Sequence, residues 1–193
     1  MRKVTGLDSV DSMVAIAEVA RPAPADFVSA QKPLRRLLVL EGIQDPGNLG
    51  TLLRTATALG WDGAFLLPGC CDPFNDKALR ASRGASFRLP WATGTWGDLE
   101  RVVATRSLVC IAAEPDDRSG AKDLPESLAS AVCLVLGAEG QGLSHEALSR
   151  CVPVAIPMPG QMESLNVAIA GSILMFALSP GMPQLASRLH VRL

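Results

Sequence analysis

Short apolar runs alternate with segments of helical periodicity along most of this chain, and that alternation restricts its fold more than any other feature. The runs have the length of buried β-strands and are 37–40, 64–67, 108–113, 132–136 and 152–156. The segments between and after them have apolar residues at helical spacing and are 49–59, 75–83, 98–106, 144–150 and 168–178. This order predicts an α/β domain with a mostly parallel sheet, covered by helices on both faces.

The length and the N-terminal residues indicate how the chain is organised. With 193 residues, 48% of them hydrophobic, the chain can bury one substantial core. We expect 1–33 to be the remnant of an N-terminal region followed by a linker, 34–179 to form the α/β domain and 180–193 to be a tail. The abrupt start suggests a chain that begins partway through a longer protein. Segment 87–90 is predicted to be an edge strand broken by Pro90.

Charge and cysteine content exclude several classes of protein. Eighteen basic and 19 acidic residues give a net charge of -1, so any nucleic-acid surface must be a local patch. The 5 cysteines include no Cys-x-x-Cys pair and no histidine at ligand spacing, which indicates neither a zinc site nor a disulfide framework. The longest mostly apolar run, 167–178, is too short to span a bilayer. We expect no metal, no membrane partner and a reducing compartment.

The loops that follow strands are the best candidates for a ligand site, because open parallel sheets bind ligands at the carboxyl ends of their strands. After the first strand, Asn48 is predicted to cap a helix, and Arg54 is expected to return close to the Asn48 face nearly two turns later. The alternative interpretation is an ordinary helix cap and a surface arginine.

A glycine-rich loop follows the most apolar strand, 132–136. Gly137, Gly140 and Gly142 stand in the order Gly-x-x-Gly-x-Gly, with Glu139 between them. A dinucleotide site needs Gly-x-Gly-x-x-Gly, and a phosphate loop needs a following lysine, so neither is indicated. The carboxylate of Glu139 suits a cation or an arginine better than a phosphate. The alternative is a loop in which the glycines only satisfy backbone geometry.

The third loop, 156–167, combines features of a pocket. Two prolines and Gly160 turn the chain after a short strand, and Glu163, Ser164 and Asn166 stand at the start of an apolar helix with unpaired N–H groups. An ordinary strand, loop and capped helix would have the same pattern.

Taken in this order, the three loops resemble the motifs of the SpoU-type (TrmH-like) RNA ribose methyltransferases of the SPOUT superfamily. The matching elements are Asn-x-Gly-x-x-x-Arg at 48–54, Gly-x-Glu-Gly-x-Gly at 137–142 and Glu-Ser-Leu-Asn-Val at 163–167. The stretch 80–85 also looks like the family's Arg-x-Ser-x-Gly-Ala element, and the resemblance covers 37–178.

The resemblance implies a function and a partner set. It implies S-adenosylmethionine as the methyl donor, the ribose 2′-hydroxyl of tRNA or rRNA as the acceptor, and a homodimer with its active site near the subunit interface. It also implies a C-terminal trefoil knot, a rare exception to the rule that chains do not thread their own loops. We expect a cytoplasmic protein, with an organelle as the alternative if residues precede Met1.

The resemblance also implies roles for individual residues. The implied catalytic residues are Arg54, Asn48, Glu139, Ser164 and Asn166. The implied donor-binding residues, with apolar side chains around the adenine, are Leu136, Gly137, Gly140, Gly142, Ile156, Met158 and Leu165. Because the guanidinium of arginine stays protonated, we expect Arg54 to orient the acceptor nucleotide through its 2′-oxygen or a phosphate rather than to act as a base.

Recognition of RNA has the weakest sequence signal. Lys77, Arg80, Arg83 and Arg88 form a candidate basic patch, although a solvated helix face would look the same. With 3 Trp, 5 Phe and no Tyr, an extensive aromatic surface for stacking bases is not expected. His145 and His190 have no partner pattern and are interpreted as structural or surface residues.

Two other functions compete with the methyltransferase interpretation. The first is a catalytically inactive RNA-binding or interaction module of the same fold, which the joint presence of the motif residues disfavours. The second is a nicotinamide-dependent oxidoreductase, whose glycine fingerprint and following acidic residue are missing.

Overall fold

The computed structural model describes residues 18–114, 122–123, 131–138, 142–158, 160–162, 164–179 and 190–191. Within them the strands form one sheet and are β1 (Arg36–Leu40), β2 (Gly63–Leu66), β3 (Trp91–Thr93), β4 (Val109–Ala113), β5 (Lys122–Asp123), β6 (Val132–Leu136), β7 (Val152–Ala155) and β8 (His190–Val191). Their order is β3-β2-β1-β6-β4-β7-β8-β5. The first six in that order pair in parallel, whereas β8 is antiparallel to both β7 and β5. The predicted mostly parallel α/β sheet is confirmed.

The helices lie on both faces of this sheet, as the sequence predicts. They are α1 (Pro46–Ala58), α2 (Asp76–Ser82), α3 (Trp96–Arg106), α4 (His145–Arg150) and α5 (Val167–Ala177). Leu38 and Leu40 of β1 pack in the core that contains α1 and α5. Leu37 and Val39 pack in a second core that contains α3. Alternate residues of one strand therefore support opposite layers.

The two central strands explain why no polar alternation appears in the sequence. Every residue of β1 and of β6 is buried, because both faces of the sheet are covered. Full burial of each such leucine or valine contributes about 1.5–3 kcal/mol relative to an exposed side chain. No helix in the described part of the chain is long and apolar enough to cross a membrane.

Two sequence expectations about strands are wrong. The edge strand is Trp91–Thr93 and not 87–90, because Gly84 at φ 82 starts a 3-10 turn over Ala85–Phe87. The carbonyl of Pro90 then accepts a hydrogen bond from Ala64 N (2.9 Å) as β3 begins. The strand predicted at 152–156 is also not the last one, since His190–Val191 pairs with β7. A strand of two residues is too short to leave a periodic signal.

The segment that precedes β1 is attached to the domain. Phe27 and Leu34 are buried, and Ala25 N donates to Trp91 O (2.7 Å). Arg106 Nε donates to Phe27 O (2.6 Å). The Phe27 ring covers Gly63, where an added Cβ would lie 2.5 Å from Cζ of the ring.

Several predictions concern residues outside the described ranges. These residues are 1–17, 139–141, Pro159, Glu163 and most of 180–193. The division into three regions and the trefoil knot therefore stay predictions.

Candidate functional site

A cavity of about 550 Å³, here called the central cavity, opens at the carboxyl ends of β1, β2 and β6. Loop residues 41–45 and Asn48 line it after β1, and Pro68 with Gly69 after β2. Ala138 and 142–144 line it after β6, and Val167 lines it at the start of α5. The cavity therefore lies where a parallel sheet is expected to bind a ligand.

The start of α1 differs from the sequence prediction. Asp45, and not Asn48, caps the helix, because Pro46 occupies the first turn without needing an N–H partner. Asp45 Oδ1 accepts a hydrogen bond from Asn48 N (2.8 Å). This arrangement leaves the side-chain amide of Asn48 at the cavity wall rather than in a cap.

Asn48 contacts the third motif directly. Asn166 Nδ2 donates to Asn48 Oδ1 (3.3 Å), across 118 positions of sequence. Asn166 Oδ1 also caps α5 by accepting from Ala168 N (2.9 Å) and Ile169 N (3.3 Å). The side chain of Asn166 therefore caps α5 and also connects the motif at 163–167 to the motif at 48–54.

Helices α1 and α5 run side by side in the same direction from this contact. Thr55 Oγ1 lies 3.3 Å from Ser172 Oγ, about two turns further along each helix. Gly171 allows the close approach, since an added Cβ would lie 2.5 Å from Leu136 Cδ1 and 2.6 Å from Leu52 Cδ2. The position of Asn166 is therefore fixed by helix packing as well as by its hydrogen bonds.

Arg54 does not lie with Asn48 and Asn166 beside the central cavity. Six residues along a helix leave it about 120° away from the direction of Asn48. It lies instead nearer the side of Gly50, where α1 touches α2 and an added Cβ would lie 2.4 Å from Ala78 O. Arg54 is exposed and does not line the central cavity. The expectation that it returns to the Asn48 face is wrong.

The two ends of the glycine loop after β6 lie against each other. Gly142 N donates to Ala138 O (3.0 Å), and Gly142 adopts φ 69. An added Cβ at Gly137 would lie 2.6 Å from Gly142 O, so a larger residue would open the loop. Gly142 reaches the cavity wall. Glu139 and Gly140, two of the predicted site residues, lie outside the described ranges.

The other predicted donor-binding residues lie outside the lining of the central cavity. Leu136 is buried in the core, and its carbonyl accepts a hydrogen bond from Glu41 N (2.9 Å). Its role toward a methyl donor stays a prediction. Ile156 and Met158 are half-buried, and Leu165 is exposed. Ser164, predicted to be catalytic, is also exposed.

Glu41 is a site residue that the sequence reasoning missed. Its Oε1 accepts from Ser144 Oγ (2.8 Å) and from Trp96 Nε1 (2.8 Å), and its Oε2 accepts from Ser144 N (3.1 Å). The carboxylate thus connects the end of β1 to the starts of α3 and α4. The available signal is an acidic residue directly after the apolar run 37–40.

The predicted basic patch is on the surface. Lys77, Arg80, Arg83 and Arg88 are all exposed. Arg80 forms an ion pair with Asp76 (2.5 Å), and this pair lowers the pKa of the Asp76 carboxyl. Arg88 donates to Arg83 O (3.2 Å). The patch is therefore accessible but partly neutralised.

The cysteines of the described chain are free thiols. Cys70 Sγ donates to Leu40 O (3.2 Å) beneath the loop after β2. Burial raises the pKa of Cys70 to about 11, so its thiol stays protonated near neutral pH. In the described ranges no group of three or more His, Cys, Asp or Glu side chains is placed to hold a metal ion.

The chain is similar to known proteins over most of its length. The SpoU rRNA Methylase family matches residues 35–176. An uncharacterized tRNA/rRNA methyltransferase of Synechocystis sp. is 41% identical over 153 residues, which cover 78% of this chain and 55% of that protein. The 23S rRNA (guanosine(2553)-2'-O)-methyltransferase RlmP of Bacillus subtilis is 34% identical over 145 residues, covering 75% of this chain and 58% of RlmP. The chain thus spans little more than half of each relative.

A solved structure has the same architecture. The AdoMet-bound rRNA methyltransferase from Sinorhizobium meliloti matches with a TM-score of 0.70 and 29% identity. The match covers 81% of this chain and 60% of that protein.

Proposed function

The chain belongs to the SpoU rRNA methylase family, and from that membership and the site geometry we propose that it methylates the ribose 2′-hydroxyl of a tRNA or rRNA. The methyl donor in this proposal is S-adenosylmethionine. The observation that carries it is the contact of Asn166 with Asn48, which joins two family motifs beside a cavity at the carboxyl edge of the sheet. Similarity to RlmP, named for a 2′-O-methyl transfer, supports the choice of acceptor.

The residues that would hold the donor are those of the loops after β6 and β7. The closed turn at Gly142 leaves backbone groups at the cavity wall, and the half-buried Ile156 and Met158 supply apolar surface. Such a mixture suits an adenine with a short polar chain and needs no phosphate cradle. When bound, the donor supplies an electrophilic methyl group on a sulfonium.

The acceptor ribose is proposed to enter the central cavity, where the amides of Asn48 and Asn166 orient it. Ser164 and Glu139 are proposed to complete its surroundings. The exposed Arg54 orients the acceptor strand through the 2′-oxygen or a neighbouring phosphate, since a guanidinium forms paired hydrogen bonds with such oxygens. It does not remove the hydroxyl proton, because arginine stays protonated.

A homodimer is part of the same proposal. Ile169, Ile173 and Phe176 are 53%, 40% and 45% exposed, and their spacing places them on one face of α5. An apolar stripe of this kind on a surface helix is typical of a protein interface. Because Asn166 caps α5, this interface would place the site close to a second copy. The position of Arg54 outside the cavity of its own chain agrees with a site that two copies complete.

The remaining partners follow from the substrate. The exposed patch of Lys77, Arg80 and Arg83 is proposed to contact phosphates of the RNA. Five cysteines without a disulfide among those described fit a reducing compartment, and we place the protein in the cytoplasm.

The direct test is methyl transfer to RNA. The protein is incubated with radiolabelled S-adenosylmethionine and with total tRNA and rRNA, and the labelled nucleotide is mapped by digestion and mass spectrometry. We expect a single 2′-O-methylated position. Donor binding without a labelled RNA would favour the inactive module, and binding of NAD in place of the donor would favour the oxidoreductase.

A further inference from the structure

A second cavity lies beside the central one. It has a volume of about 690 Å³ and opens at the carboxyl ends of β2 and β3. Its walls include Arg21, Pro22, Phe74 and Trp91, and it is called here the Trp91 groove. Pro68 and Gly69 line both cavities, so the two are direct neighbours at the same edge of the sheet.

The groove has an aromatic wall with a cation at its rim. The rings of Phe74 and Trp91 meet edge to face, with centroids 5.4 Å apart. The guanidinium of Arg21 lies 5.2 Å from the centroid of the Phe74 ring. Arg21 also pairs with Asp72 (3.2 Å), but their side chains are 63% and 49% exposed, so the pair is weak and easily displaced.

Trp91 provides a second observation. Its Nε1 is the one buried side-chain nitrogen or oxygen in the described part of the chain that lacks a hydrogen-bond partner. A buried donor without an acceptor costs free energy, and such groups are uncommon in folded proteins. The Trp91 side chain is half-buried and lines the groove, so an acceptor that draws this N–H toward the groove would remove that cost.

The surroundings of the groove favour a nucleic acid. Phe74 is followed directly by Asn75, the cap of α2, and the basic patch of α2 begins at Lys77. A strand that passes over this patch would reach the aromatic wall and then the central cavity. Single-stranded RNA is held by this combination of phosphate contacts with bases stacked on aromatic rings or arginine.

We propose that the Trp91 groove binds the base of an RNA nucleotide adjacent to the one whose ribose is methylated in the central cavity. The inference rests on the proposed function and deepens it, because it assigns a subsite for RNA recognition. The half-buried indole of Trp91 and the exposed guanidinium of Arg21 suffice for one base, while Phe74, only 7% exposed, contacts and supports both. The groove therefore agrees with the small aromatic content of the sequence, which excludes only a long stacking surface.

The test uses the indole N–H signals of the 3 tryptophans in nitrogen-15 NMR spectra. The full chain is titrated with hexauridylate and with hexaadenylate, without methyl donor, and Trp91→Phe assigns the Trp91 signal. We expect that signal to shift with RNA. Trp61 is the internal reference, since its Nε1 is buried and donates to Met175 O (3.4 Å).

A pair of variants provides the second measurement. Arg21→Ala should weaken binding of the RNA oligomers about tenfold, the size expected for the loss of one stacking contact. Arg101→Ala is the matched control, because the Arg101 side chain is 73% exposed against 63% for Arg21 and also pairs with an aspartate, Asp98 on α3. It should bind RNA like the unchanged protein, and both variants should bind S-adenosylmethionine normally.

Three results would overturn the inference. They are a Trp91 signal that does not respond to either oligomer, a shift caused by S-adenosylmethionine alone, and an equal shift with inorganic polyphosphate, which has no base. Failure of the proposed function is a separate result, since it would appear as absence of methyl transfer with or without the Trp91 response.

Discussion

The carboxylate of Glu41 contacts Ser144 twice, through the serine hydroxyl at 2.8 Å and through its backbone N–H at 3.1 Å. These residues are 103 positions apart and come from the end of β1 and the start of α4. Ser144 Oγ also accepts from Ala147 N (3.1 Å) and so caps α4. The pair therefore fixes the start of α4 at the wall of the central cavity, which makes Glu41 a positioning residue.

We predict that Glu41→Gln destabilises the protein by about 1–3 kcal/mol, because an amide nitrogen would face a donor of Ser144 or Trp96. The affinity of this variant for S-adenosylmethionine should also fall. Urea unfolding and calorimetry measure the two effects. Glu100→Gln is the control, since Glu100 pairs with Arg150 on the surface and its loss should cost less than about 1 kcal/mol. An equal effect of both changes would contradict the positioning role.

Asn166 allows its two functions to be separated. Asn166→Asp keeps an oxygen that caps α5 but removes the N–H that reaches Asn48. We predict near-normal thermal stability with at least about tenfold lower methyl transfer, the effect of losing an orienting contact. Asn166→Ala should lower both, with a stability loss of about 1 kcal/mol from the missing cap. Normal activity of the aspartate variant would exclude a role for the amide.

Arg54→Ala is predicted to abolish methyl transfer while calorimetry gives an unchanged affinity for S-adenosylmethionine. The reason is that Arg54 orients the acceptor RNA in our proposal, whereas the donor is held by the loops after β6 and β7. The variant protein should stay folded, because an exposed side chain on a helix contributes little to stability. Loss of donor affinity together with activity would show that the two roles are not separate.

The stripe on α5 predicts the assembly state. Ile173→Glu places a charge in the proposed interface and should shift the protein from dimer to monomer in light scattering after gel filtration. Leu148→Glu is a matched control, since Leu148 is 44% exposed on α4, outside the stripe. It should leave the mass unchanged. A monomer before any substitution would refute the homodimer.

Acid stability should depend on the start of α3. Hydrogen bonds from the backbone and side chain of Thr95, aided by Arg101, lower the pKa of Asp98 from 3.8 to about 2. Because the pKa is lower in the folded state, the ionised carboxylate stabilises the fold fully above pH 3.8, and this contribution is lost as the pH falls toward 2. The free energy of unfolding of Asp98→Asn, measured between pH 5 and 2, should fall less than that of the unchanged protein. An identical slope in both proteins would contradict this assignment.

Local sequence patterns predicted most of the regular structure. The run 132–136 is β6 to the residue, because five apolar side chains in a row suit only a strand covered on both faces. The cap of α1 was misassigned to Asn48, although Asp45 before Pro46 carries a recognisable cap signal. The sequence argument put Arg54 on the same face of α1 as Asn48, which is wrong because six residues do not make two full helical turns.

The order of apolar runs and the three polar loops, read from the sequence alone, determined the sheet class, the family and the edge of the sheet where a ligand belongs. Only the tertiary structure decided which of those residues meet. Asn48 reaches Asn166 through the parallel packing of α1 and α5, and Glu41 meets Ser144 across β1 and β6, while Arg54 points elsewhere. Contacts across 118 and 103 positions depend on how separate helices and strands pack, and no local pattern contains that information.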